Sequence, residues 1–205
     1  MSIRKAIQGS FFSADKAYLF ILKKLVNNKY KLLDDSKIAF ESKCFIEIDW
    51  KKNSNKILIN KKGMSLNKYS GDSKNKEIFI NECNYYFDTL FRSNKIKKIL
   101  AILTRTPDSK KAIINLMESP KPKNKKIPPC MTCIVFRILN GRLDMQCHMR
   151  ANNAYRLLSM NLLINEAIHH KIATCLGLEI GNYYHIVDSV HIYREELNEI
   201  KQFLK

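Results

Sequence analysis

"NKKIPPCMTCIVFRILNGRLDMQCHMR", residues 124–150, decides how this chain folds. Two apolar-rich runs, 131–139 and 142–150, flank Asn140-Gly141, the dipeptide most compatible with a two-residue hairpin turn because both positions require positive φ. The runs read as paired strands with one face on a core. Pro128 and Pro129 restrict the backbone just before Cys130. Arg150 ends the return strand.

Outward from the hairpin, "AIINLM" (112–117) reads as a short strand or a helical turn, and "NKIKKILAIL" (94–103) as a short helix. "EIFINECNYYFDTLF" (77–91) is aromatic enough to be buried, as helix or strand. Residues 61–76 and 119–129 read as loops. Downstream, "SMNLLINEAIHHKIATCLG" predicts a helix with Met160, Leu163, Ile164, Ala167, Ile168, Ile172 and Leu176 on its apolar face and Gly177 beyond its cap. "YYHIVDSVHIY" reads as a strand on which His185 and His191 share a face, and "REELNEIKQFLK" as a terminal helix. Near the start, Ser13 is a candidate N-cap for a helix over 14–30. In "KCFIEIDW" Ile46, Ile48 and Trp50 alternate with Glu47 and Asp49 as in a strand, and "KILIN" can pair with it. Helices and strands mix without βαβ regularity and without repeats, which predicts one α+β domain over residues 1–205, a mixed sheet with flanking helices.

The chain has 205 residues, 45% hydrophobic, enough for a sizeable core. No apolar run reaches a membrane span, and the N-terminus lacks the apolar stretch of a secretory signal. The six cysteines are then expected to be reduced thiols in a cytoplasmic protein. Cys130 and Cys133 form a lone CxxC, with neither a second pair nor suitably spaced histidines, which argues against a metal. A net charge of +17 welcomes anions. No nucleic-acid-binding motif accompanies it, and Lys, Asn and Ile richness fits codon bias, so nucleic acid ranks last among partners.

Four features stand together along the sequence. Cys130 follows the proline pair; an isolated cysteine is more often a small core hydrophobe. Arg150 can steer an anion or favour a nearby thiolate. Lys110 and Lys111, in "TPDSKKAI", make a second anion-binding element. Asn161 and the pair His191-x-Tyr193 bring amide, imidazole and phenol groups.

In order and spacing, "DSKKAI", "PPC", "QCHMRANN", "SMNLLINEAI" and "VHIY" resemble the thymidylate synthase family, which includes the pyrimidine nucleotide hydroxymethylases. The resemblance covers about residues 95–200. It implies a minimal thymidylate synthase-like α+β fold, packing sheet to sheet as a homodimer with shared active sites. It further implies a C5 methyl- or hydroxymethyltransferase acting on a pyrimidine nucleoside monophosphate, with 5,10-methylenetetrahydrofolate as donor. Cys130 would add to C6 of the base and Arg150 would bind the phosphate. Lys110 and Lys111 would reach the phosphate in the neighbouring subunit. Asn161 would read the base as uracil, His191 and Tyr193 would hold the sugar hydroxyl, and Glu82 would manage base protonation.

The sequence also departs from that pattern. Lysines replace the paired arginines, losing the bidentate fork. Ala151 and Asn153 stand where the family has serine and aspartate, removing an acidic group near the sheet core. Met131 follows Cys130 in place of histidine, and Lys37 is a poor counterpart of the N-terminal phosphate-loop arginine. There is little room between Glu82 and Lys110 for a folate-cradling subdomain, and the chain stops soon after Tyr193. These departures keep open an alternative: a degenerate nucleotide-binding member, or a subunit supporting a protein partner.

Overall fold

The computed structural model describes residues 6–27, 37–50, 85–86, 88–117 and 129–205. Among them, strands β1 (Ile7–Phe11), β2 (Ile38–Asp49), β3 (Ile113–Asn115), β4 (Met131–Leu139), β5 (Arg142–Met149), β6 (Asn152–Asn153) and β7 (Glu179–Tyr193) form one mixed sheet. Its order is β1-β2-β7-β5-β4-β3, with β6 added to β7. Helices α1 (Ala14–Val26), α2 (Lys95–Arg105), α3 (Leu158–Leu176) and α4 (Leu197–Phe203) complete an α+β architecture.

The hairpin forms as the sequence requires. Asn140 and Gly141 sit at φ 51° and 72°, and β4 pairs antiparallel with β5 from Leu139↔Arg142 onward. The pattern of β5 then alternates strictly, with Leu143, Met145, Cys147 and Met149 buried. Long β7 is the spine, antiparallel to β2 and parallel to β5. Ser13 caps α1, its hydroxyl accepting from Lys16 N–H at 3.3 Å, and "AIINLM" resolves as strand β3. The described part of 77–91 is helical, with a π-helical turn at Asp88–Arg92. Residues 51–84 and 118–128, holding "KILIN", loop 61–76, Glu82 and Cys83, lie outside the described residues.

Three expectations need correction. Strand β2 starts at Ile38, ahead of the run "KCFIEIDW" from which a strand was expected. Second, the buried side of α3 is wider and more polar than the apolar stripe read from the sequence: Met160, Ile168 and Ile172 of that stripe are buried and Ile164 and Leu176 pack against the core. Asn161, Asn165, Glu166 and His169 are buried with Leu158, Leu162 and Ile172, while Ala167 is exposed. Partners meet part of this polarity: His169 Nε2 lies 2.6 Å from Leu143 O and Asn165 Nδ2 donates to Asn161 O at 2.8 Å, while the buried Asn165 Oδ1 and His169 Nδ1 have no hydrogen-bond partner among the described residues. Third, His185 and His191 do not share a face. A register shift places Val187 opposite Cys44 and Val190 opposite Ser42. The extra residue reverses the alternation, so Val187, Val190 and Ile192 all join the core, and His191 turns to the side opposite His185.

Glu166 has a measurable consequence. Burial, helped by Asp15, pushes its carboxyl up to about 7. Folding therefore takes up a proton, and this contribution to stability, complete below about pH 4.5, is lost as pH rises through 7. Glu166→Gln is expected to flatten the pH dependence of urea unfolding and to exceed wild type by about 1–2 kcal/mol at pH 8. Parallel wild-type and variant curves would refute it.

Candidate active site

Cys130 sits immediately before β4, half-buried, where the sheet ends. Its carbonyl accepts from Arg150 N–H at 2.9 Å, and Arg150 Nε donates to Pro129 O at 3.2 Å. The rigid Pro129-Cys130 backbone and the guanidinium are thus tied to each other. Both residues stand at the open end of the hairpin expected from the Asn140-Gly141 turn, and the pairing of β4 with β5 makes them neighbours. Tyr86 OH accepts from Met131 N–H at 3.4 Å, so the Tyr85–Tyr86 turn lies against the residue after the cysteine. Met131 itself is fully buried.

Environment sorts the thiols. Burial pushes Cys44 and Cys147 up to about 12, which leaves them protonated and weakly nucleophilic. Cys175 is exposed near the end of α3. Cys130 accepts the Arg150 N–H at its carbonyl, and the Arg150 side chain bonds the residue just before it.

Past Arg150 the chain turns into β6, whose Asn152 and Asn153 pair with Val190 and His191. Ala154 N–H then donates to His191 O at 2.7 Å. This stitch brings the Arg150 segment beside the His191-x-Tyr193 segment, whose rings stand 5.1 Å apart. His191 Nδ1 lies 3.2 Å from Ser189 O, and Ser189 Oγ bonds Glu41. Asn161, near the start of α3, is buried and donates from Nδ2 to Asn152 Oδ1 at 3.3 Å. Cys130, Arg150, Asn161, His191 and Tyr193 are thereby linked through β4, β5, β6 and β7.

Residues 27–205 match the family model described as thymidylate synthase. The chain belongs to the thymidylate synthase family.

The carboxylate that this member lacks at Asn153 arrives from elsewhere. Glu196 is 1% exposed, and Asn153 Nδ2 donates to its Oε1 and Oε2 at 2.9 and 3.2 Å. Arg156 Nε lies 2.7 Å from the same Oε1, and Tyr193 N–H donates to Oε2 at 2.7 Å. One buried carboxylate therefore fastens β6 to the residue carrying the Tyr193 ring. Glu196 was missed in the sequence because it lies in a 3₁₀ turn, Arg194–Glu196, read as helix. Its spacing of three from Tyr193, with a reciprocal bond to the backbone there, was the available signal.

Lys110 and Lys111 are exposed and not brought to Cys130. Ala112 O accepts from Phe136 N–H and Arg137 reaches Ser109 O, so the lysine pair flanks the Arg137 region of β4. Seven residues of strand separate Cys130 from Arg137, roughly 20 Å at strand rise. Lys37 precedes β2, its carbonyl accepting from Arg194 N–H at 2.9 Å.

The fit to a folate donor can be examined at Trp50, the chain's single tryptophan. Its ring stacks on Tyr183 at 5.5 Å and is 2% exposed. It is a core residue and offers no face to a pterin. Among the described residues, no helix is long and apolar enough to cross a membrane.

Proposed function

We propose that this thymidylate synthase family member activates C5 of a pyrimidine nucleoside monophosphate, uracil type, as a C5 methyl- or hydroxymethyltransferase. The observation that carries the reading is that Arg150 is tied to the Pro129-Cys130 backbone at the sheet end, its N–H to Cys130 O and its Nε to Pro129 O. The Nε bond to Pro129 holds the guanidinium plane, and the terminal Nη groups form the fork that suits a phosphate. A nucleotide gripped there would present its base to the thiol. The Cys130 thiolate adds to C6, the C5–C6 π electrons move to the C4 carbonyl as an enolate, and C5 becomes nucleophilic. When C5 takes a solvent proton, it can then lose its original hydrogen as the thiolate leaves. Asn161 reads the base edge and His191 with Tyr193 holds the sugar hydroxyl. Glu82 belongs to this reading as the group that manages base protonation.

The transfer half needs a one-carbon unit, supplied in this reading by 5,10-methylenetetrahydrofolate. The packing of Trp50 into the core favours a second reading: a subunit that binds and activates the nucleotide while a protein partner contributes the donor site. The test is tritium release from C5-labelled dUMP, UMP, dCMP and CMP, with and without methylenetetrahydrofolate. Release requiring folate supports the stand-alone transferase. Release without folate supports the partnered subunit. A folded protein that releases none has neither activity.

The lysine pair belongs to a homodimer with shared sites. The sheet surface away from the core carries cross-strand rows: Phe45, Ile186, His148, Cys133 and Asn115 in one, and Glu47, Tyr184, Gln146, Val135 and Ile113 in the next. Phe45 and Ile113 are 42% and 51% exposed. Burying that surface against a second copy would remove apolar area from water. It would also let Lys110 and Lys111 serve the site of the other subunit. Sedimentation equilibrium should give about twice the chain mass, and Phe45→Lys should lower it to one; a wild-type monomer refutes the arrangement.

A further inference from the structure

A line of buried polar groups runs from Asn161 into the core. Asn161 Nδ2 donates to Asn152 Oδ1 at 3.3 Å. Asn152 Nδ2 lies 3.3 Å from Met149 Sδ and 3.4 Å from His185 Nε2. His185 Nδ1 is 2.7 Å from the Tyr183 hydroxyl. Asn152, Asn161, His185 and Tyr183 are all buried, where unpaired polar groups are costly.

Met149 sets the direction of this chain of bonds. A thioether accepts hydrogen bonds and has no proton to give. The amide nitrogen of Asn152, not its oxygen, must therefore face Met149 and His185. Asn152 Oδ1 then faces Asn161, which can answer only with its NH₂. At the other side His185 Nε2 must be the acceptor. Its proton sits on Nδ1, donating to the Tyr183 oxygen, and the phenol hydrogen passes to Cys147. Burial pushes His185 down to about 3, so the ring is neutral and able to accept.

We propose that Met149, Asn152 and His185 are positioning residues that lock the Asn161 carboxamide in one orientation and so set discrimination between uracil and cytosine. The proposal rests on Asn161 being the base reader. Uracil presents an N3–H donor beside an O4 acceptor; cytosine presents an N3 acceptor beside an N4 amino donor. A carboxamide matches one edge as it stands and the other after a half-turn that exchanges oxygen and nitrogen. In this protein the half-turn would set the Asn161 carbonyl against the Asn152 carbonyl. Turning Asn152 as well would aim its oxygen at the Met149 sulfur. The first arrangement has no hydrogen to share, and the second forfeits the Met149 contact and needs the opposite His185 tautomer, so the flipped state is disfavoured and one base edge is read.

The test compares wild type, Met149→Leu and Asn152→Ala by calorimetric titration with UMP, CMP, dUMP and dCMP. Met149→Leu conserves volume and removes only the acceptor. The uracil-over-cytosine affinity ratio should fall about tenfold or more in both variants, with cytosine binding gaining. In wild type, ¹⁵N spectra of His185 should show a protonated Nδ1 and a bare Nε2. An unchanged ratio in both folded variants, a wild-type preference for cytosine, or a protonated Nε2 would overturn the proposal alone. Wild type that binds none of the four nucleotides would overturn the functional reading, and this inference with it.

Discussion

Cys130→Ala is expected to lower C5 tritium release by at least about 10⁴-fold, because removal of a covalent nucleophile closes the pathway and does not merely slow it. Nucleotide affinity should change far less, since Arg150, which holds the phosphate in this reading, bonds the backbone of residues 129 and 130. That backbone is the same in alanine. Cys175→Ala, at an exposed position near the end of α3, should release tritium like wild type. Cys44 and Cys147 cannot substitute, because burial holds both thiols up at about 12. Undiminished release from Cys130→Ala would remove the thiol from the mechanism. A parallel loss of binding and release would instead make Cys130 a residue of the pocket wall.

The second large effect is on stability. Glu196→Ala should destabilise the protein by about 3 kcal/mol, the scale for removing one partner of a buried ion pair and leaving its donors unmet. Asn153 Nδ2, Arg156 Nε and Tyr193 N–H all lose their acceptor together. The sharper measurement is a charge exchange. Asn153→Asp alone sets two carboxylates within hydrogen-bond distance of each other and should cost about as much by repulsion and desolvation. Combined with Glu196→Gln, the acid moves to residue 153 and the amide to 196. Arg156 N–H, which donates to Asn153 Oδ1 at 2.7 Å, keeps its acceptor. The double variant should recover most of the loss in urea unfolding. If the two changes simply add, the two residues do not act as one unit.

The same exchange connects stability to the site. Glu196 fastens β6, two residues beyond Arg150, to the backbone of Tyr193. Two elements that in this reading hold phosphate and sugar are therefore kept at a fixed separation by a group that need not touch either.

Much of the fold was legible because it is written in local rules. The Asn140-Gly141 turn, the Ser13 cap, Gly177 at φ 65° and the alternation of β5 follow from backbone sterics and burial period, which neighbouring residues determine. The candidate site was read by order and spacing, from the resemblance of Cys130, Arg150, Asn161 and His191-x-Tyr193 to a family whose model matches residues 27–205. What the linear chain could not express was direction. A single bulged residue between Val187 and Val190 sends His185 inward and His191 to the other side, although a six-residue interval in a regular strand places them together.

Sequence by itself thus determined the β4–β5 hairpin, the four helices, the family and the candidate nucleophile. Only the tertiary structure decided which polar groups could afford burial. Asn161 and His169 lie among the apolar positions of α3 because Asn152 and Leu143 O meet them there. A hydrogen bond satisfied across β5, β6, β7 and α3 depends on where four separate segments come to rest. No periodicity within any one of them carries that information, because the desolvation cost of a polar side chain is cancelled only by a partner distant in sequence.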